Sequence, residues 1–458
     1  MTTMMALGGT PAMLRLFDKK VEFKPRSNGL RMCNNLKFTP NLHPKSYAAW
    51  LEKNDPDRYK VFLKRMTPIG TIPYPRTPNK TKVRPTIFLG HIPPSPKVAP
   101  DLSTGWTDQG YQNHFNTALD DLMDFHAEFP TETLDRAAAQ VAERFVKLFR
   151  MADPAMPLQE REALNGIAGV RFMDAFKRNT GQGLPCRGPK TDIIIETPTG
   201  RIYTEKARRC VQYVADSLVD FINPGIVADA TLKDEVKKPS KGARVFTPLP
   251  FAFNDIARRF LLPLLKVIQE NPLLFGISIG INADSFQWKD LYRKHKRRKF
   301  HAFYDFTRFD KSHCRAMILW AMKVLYLCAV QIFPQNADIL GHPWELVFAA
   351  VSATLSQPIY NFEQAIYAIF GSLVSGFCAT APINSIIQLI ILQMLWNEFV
   401  EQFPEFNVEG DSFMQFNSPD TYGDDGMNSS DAKDFNLKFM ATTAKRLWNL
   451  TITDPLRS

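Results

Sequence analysis

The chain has 458 residues, 45% hydrophobic and 22% charged, a globular composition that excludes a largely disordered or fibrous protein. Its 56 Lys and Arg against 46 Asp and Glu leave a net charge of +10, which suits a polyanionic partner without specifying one. Cys33, Cys186, Cys210, Cys314, Cys328 and Cys378 form no CxxC pair and no Cys/His set of zinc spacing, so all six are read as reduced thiols.

The N-terminal run MTTMMALGGTPAMLRLF lacks the charged n-region and unbroken apolar stretch of a signal peptide. Nine prolines from Pro68 to Pro100 predict an extended strap, with Val83, Ile87, Phe88, Leu89 and Ile92 as docking residues. Residues 131–149 predict a helix, because Leu134, Ala138, Val141, Ala142, Phe145, Leu148 and Phe149 fall on one face. A Gly- and Pro-punctuated region at 181–200 contains an expected strand at 193–195, and a helix is expected at 205–221. A charged loop at 233–244 precedes an amphipathic helix at 256–269.

Beyond Phe300 the pattern tightens. Residues 301–307 alternate and predict a strand. Two helices, 314–333 and 383–400, are apolar nearly all round, the second with a polar stripe at Asn384 and Gln388. Lys323 interrupts the first, and Asn384, Ser385, Gln388 and Gln393 interrupt the second. Both fall short of the roughly 20 clean apolar residues of a membrane span. They are expected as buried helices of a soluble, intracellular α+β protein.

Five segments carry candidate chemistry. In Tyr422-Gly-Asp-Asp425, a glycine before adjacent aspartates suits a tight hairpin turn. Neighbouring carboxylates repel unless a cation is near, and magnesium prefers such hard oxygens. Asp305 ends the expected strand at 301–307, where a carboxylate is costly unless paired or metal-bound, and Asp310 reads as an N-cap of the next helix or a site residue. The small-residue loop around Ser375 and Gly376 leads into a helix on which Thr380 and Asn384 share a face. Five basic groups lie in the loop from Lys233 to Arg244, hinged by Pro239 and Gly242, and could cradle a triphosphate. Residues 293–299 hold six Lys and Arg, a candidate contact for nucleic-acid phosphates or a plain surface run.

The order and spacing of these segments resemble the RNA-dependent RNA polymerases of positive-strand RNA viruses, most closely the picornavirus-like group. Asp-Phe-Thr-Arg-Phe-Asp (305–310) is similar to motif A, Ser-Gly-Phe-Cys-Ala-Thr-Ala-Pro-Ile-Asn (375–384) to motif B, and Tyr-Gly-Asp-Asp to motif C. The segment from Lys233 to Arg244 is similar to motif F, and Thr180-Gly-Gln-Gly-Leu-Pro185 to motif G. The likeness spans roughly residues 75–458.

The resemblance implies a right-hand polymerase fold with fingers and palm interleaved and the thumb absent or truncated. Residues 1–260 would form an N-terminal strap and fingers, 261–341 palm, 342–373 a fingers insertion and 374–458 palm. The implied activity is template-directed RNA synthesis from ribonucleoside triphosphates. A reverse transcriptase and a non-catalytic RNA-binding fragment are the alternatives. Asp305, Asp424 and Asp425 would be catalytic, holding two Mg2+ ions, with Mn2+ as a substitute. Asp310, Ser375, Thr380 and Asn384 would read the ribose, Lys233 and Arg244 would bind the triphosphate, and Thr180, Gly183 and Pro185 would guide template RNA. Partners would be template and nascent RNA, nucleotides, a protein primer and other viral replication proteins. With no transmembrane anchor of its own, the protein would work at membrane-associated replication complexes in the host cytoplasm.

Two departures from the family pattern stand out. Pro419 precedes the Asp-Asp turn and cannot donate to a sheet, which questions the first strand of the hairpin. The segment from Leu450 resembles motif D but offers Arg457 where relatives have a lysine, and arginine holds its proton too tightly to be a good acid.

Overall fold

The computed structural model describes residues 5–25, 39–72, 80–84, 97–102, 114–184, 186, 188–239 and 242–454. Most of the expected strap, together with Pro185 and Arg457, lies outside them. The helices that organise the fold are α1 (Thr131–Phe149), α2 (Glu205–Val219), α3 (Phe251–Glu270), α4 (Gln287–Lys296), the single turn α5 (Phe309–Ser312), α6 (Arg315–Ile332), α7 (Trp344–Leu355), α8 (Thr380–Gln402) and α9 (Leu437–Trp448). The strands are β1 (Met66–Thr71), β2 (Ala228–Asp229), β3 (Thr231–Leu232), β4 (Val245–Phe246), β5 (Phe300–Phe306), β6 (Ile359–Phe362), β7 (Ala365–Ile369), β8 (Asn417–Tyr422), β9 (Asp425–Ser430) and β10 (Ile452–Thr453).

Among the described residues these strands form two four-stranded sheets, with β3 and β4 paired separately. One has the order β1-β7-β6-β2 and the other β8-β9-β5-β10. The second is antiparallel throughout. It packs on α8, and α1, α6 and α8 pack on one another to form the central core. Helices α6 and α8 are long and apolar enough to cross a membrane by length and composition, yet 72% and 94% of their most apolar windows are buried inside the protein. Their uniform hydrophobicity reflects contact with neighbours on every side.

Helix α3 carries a buried, paired set of polar groups. The Arg259–Asp255 ion pair on α3 is buried at 2.9 Å, and the Tyr203 hydroxyl donates to the same aspartate at 2.9 Å. Helix α3 begins before and ends after the expected 256–269 span and runs unbroken through the proposed boundary at 260/261. Its buried face makes any division there cut one packing unit.

Pro419 sits inside a regular strand, facing Asn428. Strand β8 is an edge. Two residues on, the Thr421 N–H points away from β9 and donates to the Gly276 carbonyl at 3.0 Å. Pro419 has the same parity, so its missing donor removes no bond of the β8–β9 ladder, which is why the edge tolerates it.

Cys210, Cys314, Cys328 and Cys378 are free thiols, as expected, whereas Cys186 is disulfide-bonded and corrects the all-thiol reading.

Candidate active site

The three aspartates come together at one end of the β8-β9-β5-β10 sheet. Asp305 on β5 is the register partner of Asp425 on β9. Opposed residues on antiparallel strands project from the same face, about 5 Å apart at their Cβ atoms. Asp424 precedes Asp425 in the turn that joins β8 to β9. The turn closes because Gly423 adopts a left-handed φ of 67°, a conformation that costs glycine little. Asp424 and Asp425 are left exposed and Asp305 half-buried. The Asp425 carboxyl is raised above its ordinary value, first by partial desolvation and then by the negative charge of Asp424.

Among the described residues no group of three His, Cys, Asp or Glu side chains closes into a ready-made metal cage. The open face bearing Asp305, Asp424 and Asp425 still has the donor chemistry of a hard divalent cation, one that completes its shell with water and phosphate oxygens. The mutual repulsion at Asp424 and Asp425 is what a bound cation would relieve.

The turn is held from below by α8. The Ser385 hydroxyl accepts the Gly423 N–H at 2.9 Å. Gln388 Nε2 points at three successive carbonyls, of Gly423 at 3.4 Å, Asp424 at 3.0 Å and Asp425 at 3.3 Å. Both side chains are completely buried. The sequence showed Gln388 only as part of a polar stripe. Buried polar residues at 385 and 388, on one face of an otherwise apolar helix, were the signal for this clamp.

The residues expected to read the sugar lie on α5, in the loop before α8 and on the first turns of α8. Asp310 is the second residue of α5, and Arg308, not Asp310, holds the N-cap position. Burial raises the Asp310 carboxyl against the opposing pull of Lys311, Arg244 and Arg308. The Asp310 carbonyl accepts the Leu373 N–H at 2.8 Å, tying α5 to the loop before α8. In that loop the Ser375 hydroxyl accepts from the Thr247 N–H and bonds the Thr247 hydroxyl, both at 3.0 Å. The Thr380 hydroxyl turns back to the loop carbonyls of Val374 at 2.8 Å and Phe377 at 3.0 Å, so its proton closes the loop. Asn384 bonds the buried His313 at 2.8 Å, a partner the sequence did not single out.

Lys233 and Arg244 flank the short β3–β4 ladder, and the Lys233 N–H donates to the Arg244 carbonyl at 2.9 Å. Both exposed side chains engage the half-buried Glu235, at 2.7 and 3.3 Å, which leaves one net positive charge in this trio. Arg244 is close enough to Asp310 to draw its carboxyl downward, which connects the basic loop with a residue expected to read the sugar.

Thr180 and Gly183 line a cavity of about 1020 Å³ whose wall continues to Ser375, Gly376 and Phe246. The Thr180 hydroxyl accepts from the Lys190 ammonium at 2.7 Å. Burial, with the nearby Arg258 charge, pushes that ammonium down to about 8. Gly183 packs so tightly that a Cβ there would fall 2.8 Å from the Pro250 Cα. The cavity therefore joins the expected template residues to the motif B loop, and none of the three aspartates lines it.

The basic run at 293–299 divides. Lys294 and His295 both bond Asp420, each at 2.7 Å, and His295 also bonds Ser429 at 2.7 Å. Arg298 bonds Asp431 at 2.7 Å and the carbonyls of Gln415, Met414 and Asn417. These three side chains brace β8 and β9 from behind, and only the remainder of the run faces solvent.

A family profile described as viral RNA-dependent RNA polymerase matches residues 91–456. The chain is 26% identical over 392 residues to the genome polyprotein of Human rhinovirus C (strain C15), covering 84% of this chain and 16% of that protein. It is 26% identical over 293 residues to the replicase polyprotein of Drosophila C virus (strain EB), covering 60% of this chain and 16% of that protein. The chain thus spans about a sixth of these curated relatives. Among solved structures it is similar to the Sicinivirus 3Dpol RNA dependent RNA polymerase, with a TM-score of 0.66 and 17% identity, covering 84% of this chain and 76% of that one. That likeness carries the right-hand polymerase fold.

Proposed function

Since the chain belongs to the viral RNA-dependent RNA polymerase family, we propose that it synthesises RNA from ribonucleoside triphosphates on an RNA template. The observation that carries this reading is the register of Asp305 with Asp425, with Asp424 beside them in the turn. The β8-β9-β5-β10 sheet and its helices serve as the palm. Residues 1–260, with residues 342–373, serve as strap and fingers.

In nucleotide addition the primer 3′-oxygen bonds the α-phosphorus of the incoming nucleotide, the bond from that phosphorus to the bridging oxygen breaks, and pyrophosphate leaves. Polymerases of this family use divalent metal ions. Two Mg2+ ions, held by Asp305 and Asp424 with Asp425 in support, would supply charge neutralisation and lower the pKa of the 3′-hydroxyl. Ser385 and Gln388 hold the turn that aims these carboxylates. Lys233 and Arg244 offset the triphosphate charge, and Asp310, Ser375, Thr380 and Asn384 surround the sugar. The cavity between Thr180, Gly183 and the Ser375 loop receives the template. Pro185 would extend that template-guiding segment. Nascent RNA, a protein primer and other viral replication proteins complete the partner set, at membrane-associated complexes in the host cytoplasm.

Primer extension on a homopolymeric RNA template with Mg2+ tests the reading. Ribonucleotide addition that disappears in Asp305→Asn and Asp424→Asn supports it. Preferential deoxyribonucleotide addition would favour a reverse transcriptase, and RNA binding with no addition by the wild type would favour a non-catalytic fragment.

A further inference from the structure

His313 follows the single turn that carries Asp310 and is completely buried. Its Nε2 lies 2.8 Å from Asn384 Oδ1. The ring of Phe309 packs edge-to-face against the imidazole at 4.5 Å and 82°. The His313 carbonyl accepts the Ser372 N–H at 2.8 Å, so the backbone is fixed by the loop while the side chain is fixed by α8. Burial pulls the imidazole down to about 4, which leaves it neutral, with one proton, near pH 7.

That proton has two possible seats. His313 Nδ1 is buried with no hydrogen-bond partner among the described residues. A proton there would strand a buried N–H, one of the rarer and costlier defects in a folded protein. On Nε2 it is donated to Asn384. A carboxamide has an accepting end and a donating end, and this bond occupies the accepting one. Among the described residues no group accepts from Asn384 Nδ2, although Asn384 is only 7% exposed.

We infer that His313 is a positioning residue for sugar selection: it locks the Asn384 amide so that the donating Nδ2 faces the nucleotide. This rests on the reading of Asp310 and Asn384 as the sugar-facing pair. With the amide locked, the ribose 2′-oxygen accepts from Asn384 and its own proton is directed to a carboxylate, for which Asp310 on the adjoining turn is suited. A 2′-deoxynucleotide satisfies neither group, and sites built around a substrate hydroxyl reject analogues that lack it. Without the lock, the amide can rotate and present its carbonyl to a hydroxyl that can also donate, so the two groups no longer demand one orientation.

The test compares the full chain with His313→Phe, which keeps an aromatic ring against Phe309 but donates nothing, and His313→Gln, which retains an N–H donor. Competition binding of ATP and 2′-deoxy-ATP to the protein on an RNA primer–template gives an affinity ratio that does not depend on turnover. The ratio should fall roughly tenfold in His313→Phe, the effect of about one hydrogen bond, and recover in part in His313→Gln. Asn384→Ala should lose the preference too, and adding His313→Phe to it should change nothing more. An Asn384→Ala ratio equal to the wild type overturns the sugar-pair reading itself. A ratio that moves in Asn384→Ala but stays unchanged in folded His313→Phe overturns the role of His313. Thermal unfolding reports folding, and His313→Met, read by the same ratio, replaces the Phe variant if that one does not fold.

Discussion

Asp305 and Asp425 stand opposite each other on neighbouring antiparallel strands, although 120 positions separate them in the chain. Register gives the directly opposed place to Asp425 and leaves Asp424 at the turn. The arrangement gathers negative charge at one end of the β8-β9-β5-β10 sheet, and several consequences can be measured.

Asp424→Asn should reduce nucleotide addition by at least a thousandfold while RNA affinity changes less than twofold. The amide removes the charge a metal would meet but preserves shape, and RNA affinity comes from cationic contacts. Primer extension and a salt-dependent RNA-binding titration check the two halves. Addition at the wild-type rate would remove Asp424 from the mechanism.

Asp425→Asn should make the metal-free protein slightly more stable, on the order of 0.5 kcal/mol given its exposure to solvent. The folded Asp425 pKa is raised, so its ionisation costs the folded state at neutral pH. The cost is present above the raised pKa and disappears as the pH falls below the ordinary aspartate value. Thermal unfolding in chelator at pH 7 should show the gain, and unfolding at about pH 3.5 should show it shrink. Excess divalent metal should reverse the ranking.

Gln388→Leu should loosen the turn without unfolding the chain. It removes the N–H groups that three turn carbonyls share and leaves those carbonyls to find other partners, at about 1–3 kcal/mol. Hydrogen exchange should quicken in peptides covering 421–427 and remain unchanged in α1. Nucleotide addition should fall about tenfold or more, because catalytic geometry tolerates little displacement. Unchanged exchange across the turn would assign Gln388 to packing alone.

Arg298→Ala should destabilise the fold by about 2–4 kcal/mol and leave RNA affinity within twofold. Its guanidinium bonds Asp431 and three carbonyls behind the β8-β9-β5-β10 sheet, and losing it leaves those groups unpaired. Denaturant unfolding and RNA titration separate this structural role from phosphate binding. A large loss of RNA affinity at unchanged stability would return Arg298 to the nucleic-acid interface.

Local physical chemistry was legible in the sequence. The helix expected at 131–149 has those bounds, because one apolar face over nineteen residues has few alternatives. The glycine before the paired aspartates marked a hairpin turn, since turn conformation is decided within four residues. The tertiary structure decided what depends on distant partners. It fixed Asp305 against Asp425, turned Lys294, His295 and Arg298 inward, and placed Pro419 on an edge where its missing N–H costs nothing. It also gave Gln388 and His313 their side-chain hydrogen-bond partners, which lie 35–37 and 71 positions away respectively. Strand register and the pairing of buried polar groups follow from packing summed over the whole core. A residue's own neighbours in sequence therefore constrain its conformation strongly and its long-range partner hardly at all.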